Sequence, residues 1–254
     1  MANNEDSFYQ PENIEIFEAI YGNGLISLGG LVAVDKMFEE SDLNGKYLLD
    51  IGFGLGGMAH YLAETKNAYV TGLEVHPWMT QHATKTAPFS IKDRVKFVVY
   101  NEDNTIPLAS ESIDLAYSKG VLTNVQDKKS LFLEISRVLK IHGQICLIDW
   151  LNPSAPRTEK LHTGELSYKE NKKSYCEILE SCGFKDITFR DESSAYLGYA
   201  KDLGHKLQSP EHISQFSDIF SKELRNTVIT SNTKLIESIS SGAQLSYLIR
   251  AIKT

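Results

Sequence analysis

The hydrophobic positions of the chain fall into short apolar runs that alternate with stretches of helical periodicity. Five runs predict strands, at residues 47–51, 68–73, 95–100, 113–117 and 144–150. Helical patterns separate them at 56–66, 78–87 and 128–143, and the third ends on basic residues and Gly143, as helices commonly do. This alternation predicts an α/β fold with a parallel, doubly wound sheet.

Two further segments frame the alternating part. Residues 1–45 carry a helical pattern and are predicted to lie across the strand ends as an N-terminal cap. Residues 46–254 are predicted to form the main domain, in which 151–240 include further helices and the last apolar run forms a terminal strand. We count cap and main part as one domain.

Composition narrows the class of ligand. The chain has 254 residues, 42% of them hydrophobic, and a formal net charge of −7. Binding a phosphate backbone normally needs a basic face, so the charge argues against a nucleic-acid partner and favours a small molecule. Three cysteines without CxxC spacing and histidines without metal-ligand spacing predict no metal site.

The N-terminal segment predicts a compartment. "MANNEDSFYQ" is acidic and polar, and no apolar run in the chain approaches the ~18 residues that a membrane-spanning helix requires. We therefore expect no membrane span and a cytoplasmic location.

The stretch "LLDIGFGLGG" breaks from a strand into glycines. Gly52, Gly54 and Gly56 let the chain turn sharply into a helix and let a ligand contact bare backbone. The same stretch also satisfies the GxGxxG pattern of dinucleotide binders, so the glycines alone do not separate the possible cofactors.

Acidic residues follow successive predicted strands. Glu74 comes about 20 residues after the glycines, where a carboxylate accepts ribose hydroxyls in NAD and S-adenosylmethionine sites alike. Asp50 favours S-adenosylmethionine, because a carboxylate there can face the cationic amino-acid end. Glu102, at the end of the third strand, can accept from an adenine amino group, and the backbone of Asp103 can meet the ring. Together these residues predict one ligand crevice at the strand ends.

With these residues the chain resembles the class I S-adenosylmethionine-dependent methyltransferases, through "LLDIGFGLGG", "GLEV", "NEDNTIPLASESIDLAYS" and "EISRVLKIHGQICLIDW". The resemblance implies a Rossmann-like, seven-stranded, mostly parallel sheet whose last strand is antiparallel. It also implies S-adenosylmethionine as cofactor, with S-adenosylhomocysteine as product. We include Val75 and Ser118, which end or follow strands of this set, among the predicted cofactor contacts.

The N-terminal stretch "YQPENIEIFEAIYGNGLISLGG" is similar to that of the phosphoethanolamine N-methyltransferases. In that family the residue matching Tyr9 closes over the active site, and those matching Ile26 and Ser27 contact the cofactor. The chain departs from the family after the fourth strand, where Asn124 stands in place of a histidine and Gly120 in place of an acid.

A second departure concerns the residues that hold the substrate phosphate in that family. Leu161, Glu165 and Ser167 stand at positions of tyrosines and an arginine, although Arg250 retains a cation near the end. These departures argue against a phosphoethanolamine pocket.

The chemistry predicted from these features is methyl transfer to a small acceptor. An in-line displacement mainly requires alignment and exclusion of water, so the absence of an evident histidine base favours an amine acceptor. Tyr9, Asn124 and Trp150 are the predicted catalytic-site residues, Trp150 because a cation can rest on its ring. The alternatives are a non-catalytic S-adenosylmethionine-binding module, an O- or C-methyltransferase and an NAD-dependent oxidoreductase.

Overall fold

The structure is a computed structural model, and it describes residues 8–101, 105–160 and 166–254. Its central feature is a seven-stranded sheet in the order β3-β2-β1-β4-β5-β9-β8. The strands are β1 Tyr47–Ile51, β2 Tyr69–Glu74, β3 Val95–Val99, β4 Ile113–Lys119, β5 Leu139–Leu151, β8 Phe184–Asp191 and β9 Leu245–Lys253. β1 to β5 pair in parallel, and β9 is antiparallel to both of its neighbours. The predicted sheet is confirmed.

Helices cover both faces of this sheet because its central strands are apolar on both sides. Leu48 and Leu49 of β1 are adjacent in sequence, both are fully buried, and they belong to different hydrophobic clusters. The helices are α1 Ile14–Tyr21, α2 Gly30–Met37, α3 Gly57–Thr65, α4 Pro77–Thr86, α5 Lys128–Val138, α6 Lys172–Ser181, α7 Ser193–Gln208, α8 Pro210–Gln215 and α9 Lys222–Ser240.

The helix α1 is amphipathic and is buried on two sides. Ile16 and Ile20 pack with Leu203 and Leu207 of α7, while Phe17 packs with residues of the glycine turn and α4. α1 therefore spans from α7 to the turn that follows β1. The division into a cap of residues 1–45 and a domain of 46–254 stays a prediction.

The third predicted helix is shorter than the pattern suggested. α5 ends at Val138, and β5 begins at Leu139, where Leu139 pairs with Ile113 of β4. The basic segment before Gly143 thus starts a strand, and His142 lies within it at φ 62° instead of at a helix end. Pairing with the sheet overrides the local helical pattern.

A two-stranded hairpin, β6 Arg157–Lys160 with β7 Leu166–Lys169, lies outside the main sheet. Sequence reasoning did not predict it, because β6 is polar throughout and β7 is only four residues long. In the described part of the chain, no helix has the length and apolar character needed to cross a membrane.

Candidate active site

The turn after β1 forms the floor of the candidate site at the carboxyl edge of the sheet. Gly54 adopts φ +60°, and a Cβ there would lie 2.5 Å from Ile26 Cδ1 of the segment between α1 and α2. Gly52 and Gly56 lie in the same turn. The predicted contact residue Ile26 therefore packs directly onto the glycine backbone.

Glu74 ends β2 at the same edge and is linked to this turn. Its Oε2 accepts the Gly54 N–H at 3.2 Å. Its Oε1 accepts the Val75 N–H at 2.8 Å and lies 3.0 Å from His76 Nδ1. The carboxylate is 8% exposed, so these contacts fix its orientation at the edge where parallel sheets bind ligands.

Asp50 lies in β1, two residues before the glycine turn begins. It is buried, and the Tyr117 hydroxyl donates to its Oδ2 at 2.9 Å. Burial raises the pKa of Asp50 to about 8; the Tyr117 hydrogen bond opposes this rise and the nearby Glu74 adds to it. The carboxyl is therefore largely protonated at neutral pH, and a cation bound beside it would favour its ionised form.

Two serines border the end of β4 in different ways. The Ser118 hydroxyl is fully buried and donates to the Ile51 carbonyl at 2.8 Å, which ties β4 to β1. The Ser27 hydroxyl accepts from Lys119 Nζ at 2.7 Å. Of the predicted contacts, Ser118 thus joins two strand ends, and Ser27 joins the segment before α2 to β4.

Trp150 and Asn124 lie on the far side of β4. The Trp150 ring meets Tyr196 of α7 edge to face, with centroids 5.4 Å apart. Asn124 ends the short 3-10 turn Leu122–Asn124. Asp149 links this turn to β5, because its carboxylate accepts the Thr123 N–H at 3.0 Å and the Trp150 N–H at 2.9 Å. Asp149 is buried, which suits a structural carboxylate.

Tyr9 precedes α1 and faces the residues that follow β2. Its ring stacks on Phe17 at 5.6 Å, and its centroid lies 6.2 Å from that of His76. Tyr9 therefore lies near the residues that follow Glu74 at the end of β2, and its closing over the active site stays a prediction.

Some predicted residues fall outside this constellation. Glu102, Asp103, Leu161 and Glu165 lie outside the described residues. Arg250 donates to Glu40 and to the Met37 carbonyl, midway along β9, so its cation serves a structural contact away from the carboxyl edge.

Sequence reasoning missed Lys119, the last residue of β4. Its side chain is 9% exposed, and Nζ donates to Ser27 Oγ and, at 2.6 Å, to the Leu28 carbonyl. The sequence feature that could have identified it is a lysine at the end of an otherwise apolar strand. His76 was not among the predicted site residues either, although its Nδ1 lies 3.0 Å from Glu74 Oε1.

Comparison with known proteins agrees with this geometry. Residues 49–147 match a family model described as a methyltransferase domain. Phosphoethanolamine N-methyltransferase 1 of Triticum aestivum is 27% identical over 93% of this chain, and the chain spans 47% of it, about half its length. The phosphoethanolamine N-methyltransferase of Plasmodium falciparum is 27% identical over 86% of this chain and 83% of its own length.

Among solved structures, phosphoethanolamine N-methyltransferase 2 of Haemonchus contortus is similar in fold. It was solved with phosphomonomethylethanolamine and S-adenosylhomocysteine, and it superposes with a TM-score of 0.87 at 21% identity. The superposition covers 98% of this chain and 59% of that one.

The sheet order and the glycine turn are those of the class I S-adenosylmethionine-dependent methyltransferase fold, and residues 49–147 match a methyltransferase domain. Within that class, the chain resembles the phosphoethanolamine N-methyltransferases. Both resemblances predicted from sequence are confirmed.

Proposed function

We propose that this chain transfers a methyl group from S-adenosylmethionine to a nitrogen atom of a small amine. The observation that carries the proposal is the link between Glu74, at the end of β2, and the Gly54 N–H of the turn after β1. It puts a fixed carboxylate beside bare backbone at the ligand-binding edge of a parallel sheet. Named relatives that methylate an amine support nitrogen as the acceptor atom.

The residues present fit this cofactor by their chemistry. Glu74 would accept the ribose hydroxyls, the turn at Gly52, Gly54 and Gly56 would contact the amino-acid portion, and Asp50 would lie toward its cationic end. Glu102 and Asp103 are proposed for the adenine, and Ile26, Ser27, Val75 and Ser118 for the remaining contacts. When bound, the cofactor supplies an electrophilic methyl group on a sulfonium.

The chain's own contribution is alignment and exclusion of water. α1 packs with Phe17 against the glycine turn, so the cap would cover the bound pair. Tyr9 would close over the acceptor, and Trp150, held against Tyr196, would present a ring to a cationic nitrogen. Asn124 would orient the acceptor by hydrogen bonds, because an amide takes no proton at neutral pH.

Binding and transfer measurements test this proposal. Calorimetry should detect binding of S-adenosylhomocysteine and no binding of NADH. Tritiated methyl groups should be transferred from S-adenosylmethionine to members of an amine panel. The panel includes phosphoethanolamine, carboxylated amines and uncharged amines, with phenols beside them. Binding of NADH in place of S-adenosylhomocysteine, or transfer confined to phenols, would refute an amine methyltransferase.

A second candidate is a module that binds S-adenosylmethionine without catalysis. It is favoured by Asn124, which stands where the resemblance places a histidine. Tight binding of S-adenosylhomocysteine combined with no transfer to any panel compound would support the module.

A further inference from the structure

Lys119 is a buried cation at the carboxyl edge that the proposed roles above leave unused. It is 9% exposed, and two of the three N–H groups of an ammonium are taken up by Ser27 Oγ at 2.7 Å and the Leu28 carbonyl at 2.6 Å. Both acceptors are neutral. No carboxylate of the described chain forms an ion pair with it, so no negative charge compensates the ammonium directly.

Its neighbours are residues already assigned to the two substrates. Ser27 and Ser118 are proposed cofactor contacts, and Lys119 Nζ lies 5.9 Å from the ring centroid of Tyr196, on which Trp150 packs. A Cβ on the next residue, Gly120, would lie 4.0 Å from Trp150 Nε1. Lys119 thus lies between the proposed cofactor contacts and the aromatic wall of the proposed acceptor site.

No ionisable group of the described chain forms an ion pair with Lys119, although its Nζ lies within cation–π distance of the Tyr196 ring. Tyr199 of α7 packs edge to face on Tyr196, Asp50 accepts from Tyr117, which lies two residues before Lys119 on β4, and Glu192 is paired with Lys36 and Arg190. Tyrosines are neutral at pH 7, and burial raises the pKa of Asp50 to about 8. Burial also lowers the pKa of Lys119 to about 7. A sulfonium bound nearby would favour the neutral amine further.

We propose that Lys119 is the proton acceptor for the amine substrate, the role that Asn124 cannot perform. This inference rests on the proposed function. The neutral Nζ takes a proton from the ammonium form of the acceptor. The freed nitrogen lone pair then forms a bond to the methyl carbon as the carbon–sulfur bond breaks, and that electron pair stays on sulfur. Lys119 returns its proton to solvent when the product leaves.

Lys119→Arg is the discriminating variant, because it keeps a cation that cannot be deprotonated. With a saturating amine identified from the panel, kcat of the natural chain should fall about tenfold per pH unit below about pH 7. Lys119→Arg and Lys119→Met should each lower kcat at pH 8 by roughly 10²–10⁴-fold, the usual contribution of a general base. In Lys119→Arg, which keeps a donor beside Ser27, the affinity for S-adenosylhomocysteine should change by no more than about twofold, because the base acts on the acceptor.

Lys253→Arg is the matched control. Lys253 is also 9% exposed and donates to a backbone carbonyl, that of Leu139, at the opposite end of the sheet. This variant should keep the natural pH profile.

The outcomes separate this inference from the proposed function. Amine methylation that persists in Lys119→Arg would show that a permanent cation suffices at this position and that Lys119 is no base. A flat kcat between pH 5.5 and 8 in the natural chain overturns the inference without any variant. If the natural chain binds S-adenosylhomocysteine and methylates no amine, the proposed function fails, and the inference fails with it.

Discussion

Glu74 uses both of its oxygens to hold the end of β2 against neighbouring backbone. Oε2 accepts from Gly54 and Oε1 from Val75. Ribose hydroxyls would join these donors around an oriented carboxylate. The same group would therefore serve the turn and the cofactor, and removing it should affect binding most.

Replacing Glu74 with alanine should weaken binding of S-adenosylhomocysteine by roughly 1–3 kcal/mol, the cost of leaving polar groups unpaired. Isothermal titration calorimetry measures the change. Glu64→Ala, on the exposed side of α3, is the control and should leave affinity as it is. Unaltered affinity in Glu74→Ala would remove the ribose assignment.

Asp50 should make cofactor binding depend on pH. Its pKa is about 8 in the free protein, raised by burial, so binding a ligand ammonium beside it must first ionise the carboxyl. The affinity for S-adenosylhomocysteine should therefore rise between pH 6 and 8. Binding below pH 8 should release a proton from Asp50. Calorimetry in buffers of different ionisation enthalpy detects that proton. Asp50→Asn should abolish the dependence, and a retained pH dependence in that variant would exclude Asp50 as its source.

Chain spacing predicted Glu74, because a ribose-binding acid lies at a fixed distance from a glycine turn. Spacing could not predict Lys119. Its partners, Ser27 and Leu28, lie 92 and 91 residues earlier in the chain, and a lysine at a strand end usually reaches solvent. Only the packing of the segment before α2 onto β4 buries this side chain.

At the scale of elements, α3 is fastened to the cap by a close backbone approach. The Gly57 N–H donates to the Gly24 carbonyl at 2.9 Å, and a Cβ on Gly57 would lie 2.5 Å from that oxygen. No side chain fits between them. The first residue of α3 therefore sets how close the segment after α1 can come to the sheet.

Gly57→Ala should push this segment away, destabilise the fold by roughly 1–3 kcal/mol and weaken cofactor binding, since overpacking strains rigid backbone. Urea unfolding measures the first effect and calorimetry the second. Gly198→Ala in α7 is the matched control, because a Cβ there meets nothing within 4 Å. It should stabilise the helix by about 0.5–1 kcal/mol. Equal stability in both variants would contradict the close-approach argument.

Tyr9→Phe should chiefly slow turnover. We expect kcat to fall roughly fivefold to tenfold, the equivalent of one hydrogen bond of about 1 kcal/mol, with cofactor affinity retained. Steady-state kinetics with the amine identified from the panel measures this. Tyr69→Phe, at the exposed start of β2, should keep the natural kcat. A Tyr9→Phe enzyme with normal kcat would leave Tyr9 as a packing residue for Phe17.

Elements with strong periodicity were predictable, and those that depend on distant pairing were not. β1 has the predicted bounds of residues 47–51 because its apolar run ends at the glycines. The predicted end of α5 was wrong by several residues, because Leu139 pairs with Ile113 of β4 and belongs to the sheet. The hydrophobic pattern of a short segment does not show which distant strand the segment will pair with.

At the scale of the whole molecule, the C-terminal helices anchor the cap. His212 Nε2 lies 2.9 Å from the Ala19 carbonyl, and Lys206 Nζ donates to the Ile20 carbonyl at 3.0 Å. Arg225 donates to His212 Nδ1 at 2.7 Å. Because an arginine is always a donor, His212 must be neutral, with its proton on Nε2.

This anchor should weaken in acid. Burial lowers the pKa of His212, so the unfolded chain binds the proton more readily, and stability is lost as the pH falls below about 6.5. When the pH is lowered from 7 to 5, the free energy of unfolding should fall in both proteins. The fall should be roughly 1 kcal/mol smaller in His212→Gln than in the natural chain. Urea titrations at both pH values measure this. His205→Gln, exposed on α7, should behave as the natural chain does, and equal acid losses in all three would exclude His212.

The alternation of strands and helices was enough to predict the doubly wound sheet, because parallel strands need crossover helices. The crevice followed from the rule that ligands bind at the carboxyl edge. The contacts between α1 and α7, such as that of Ile16 with Leu203, could not be predicted. An apolar helix face shows that the helix packs against something, but it does not show which element it packs against.

β9 lies between β5 on one side and β8 on the other. Both neighbours are synthesised before it, since the ribosome builds the chain from its amino terminus. Until residues 245–253 emerge, β5 and β8 each present an unpaired edge, and such edges recruit other chains. The nascent polypeptide is therefore most prone to aggregate just before this strand arrives, and that is when a chaperone would protect it most.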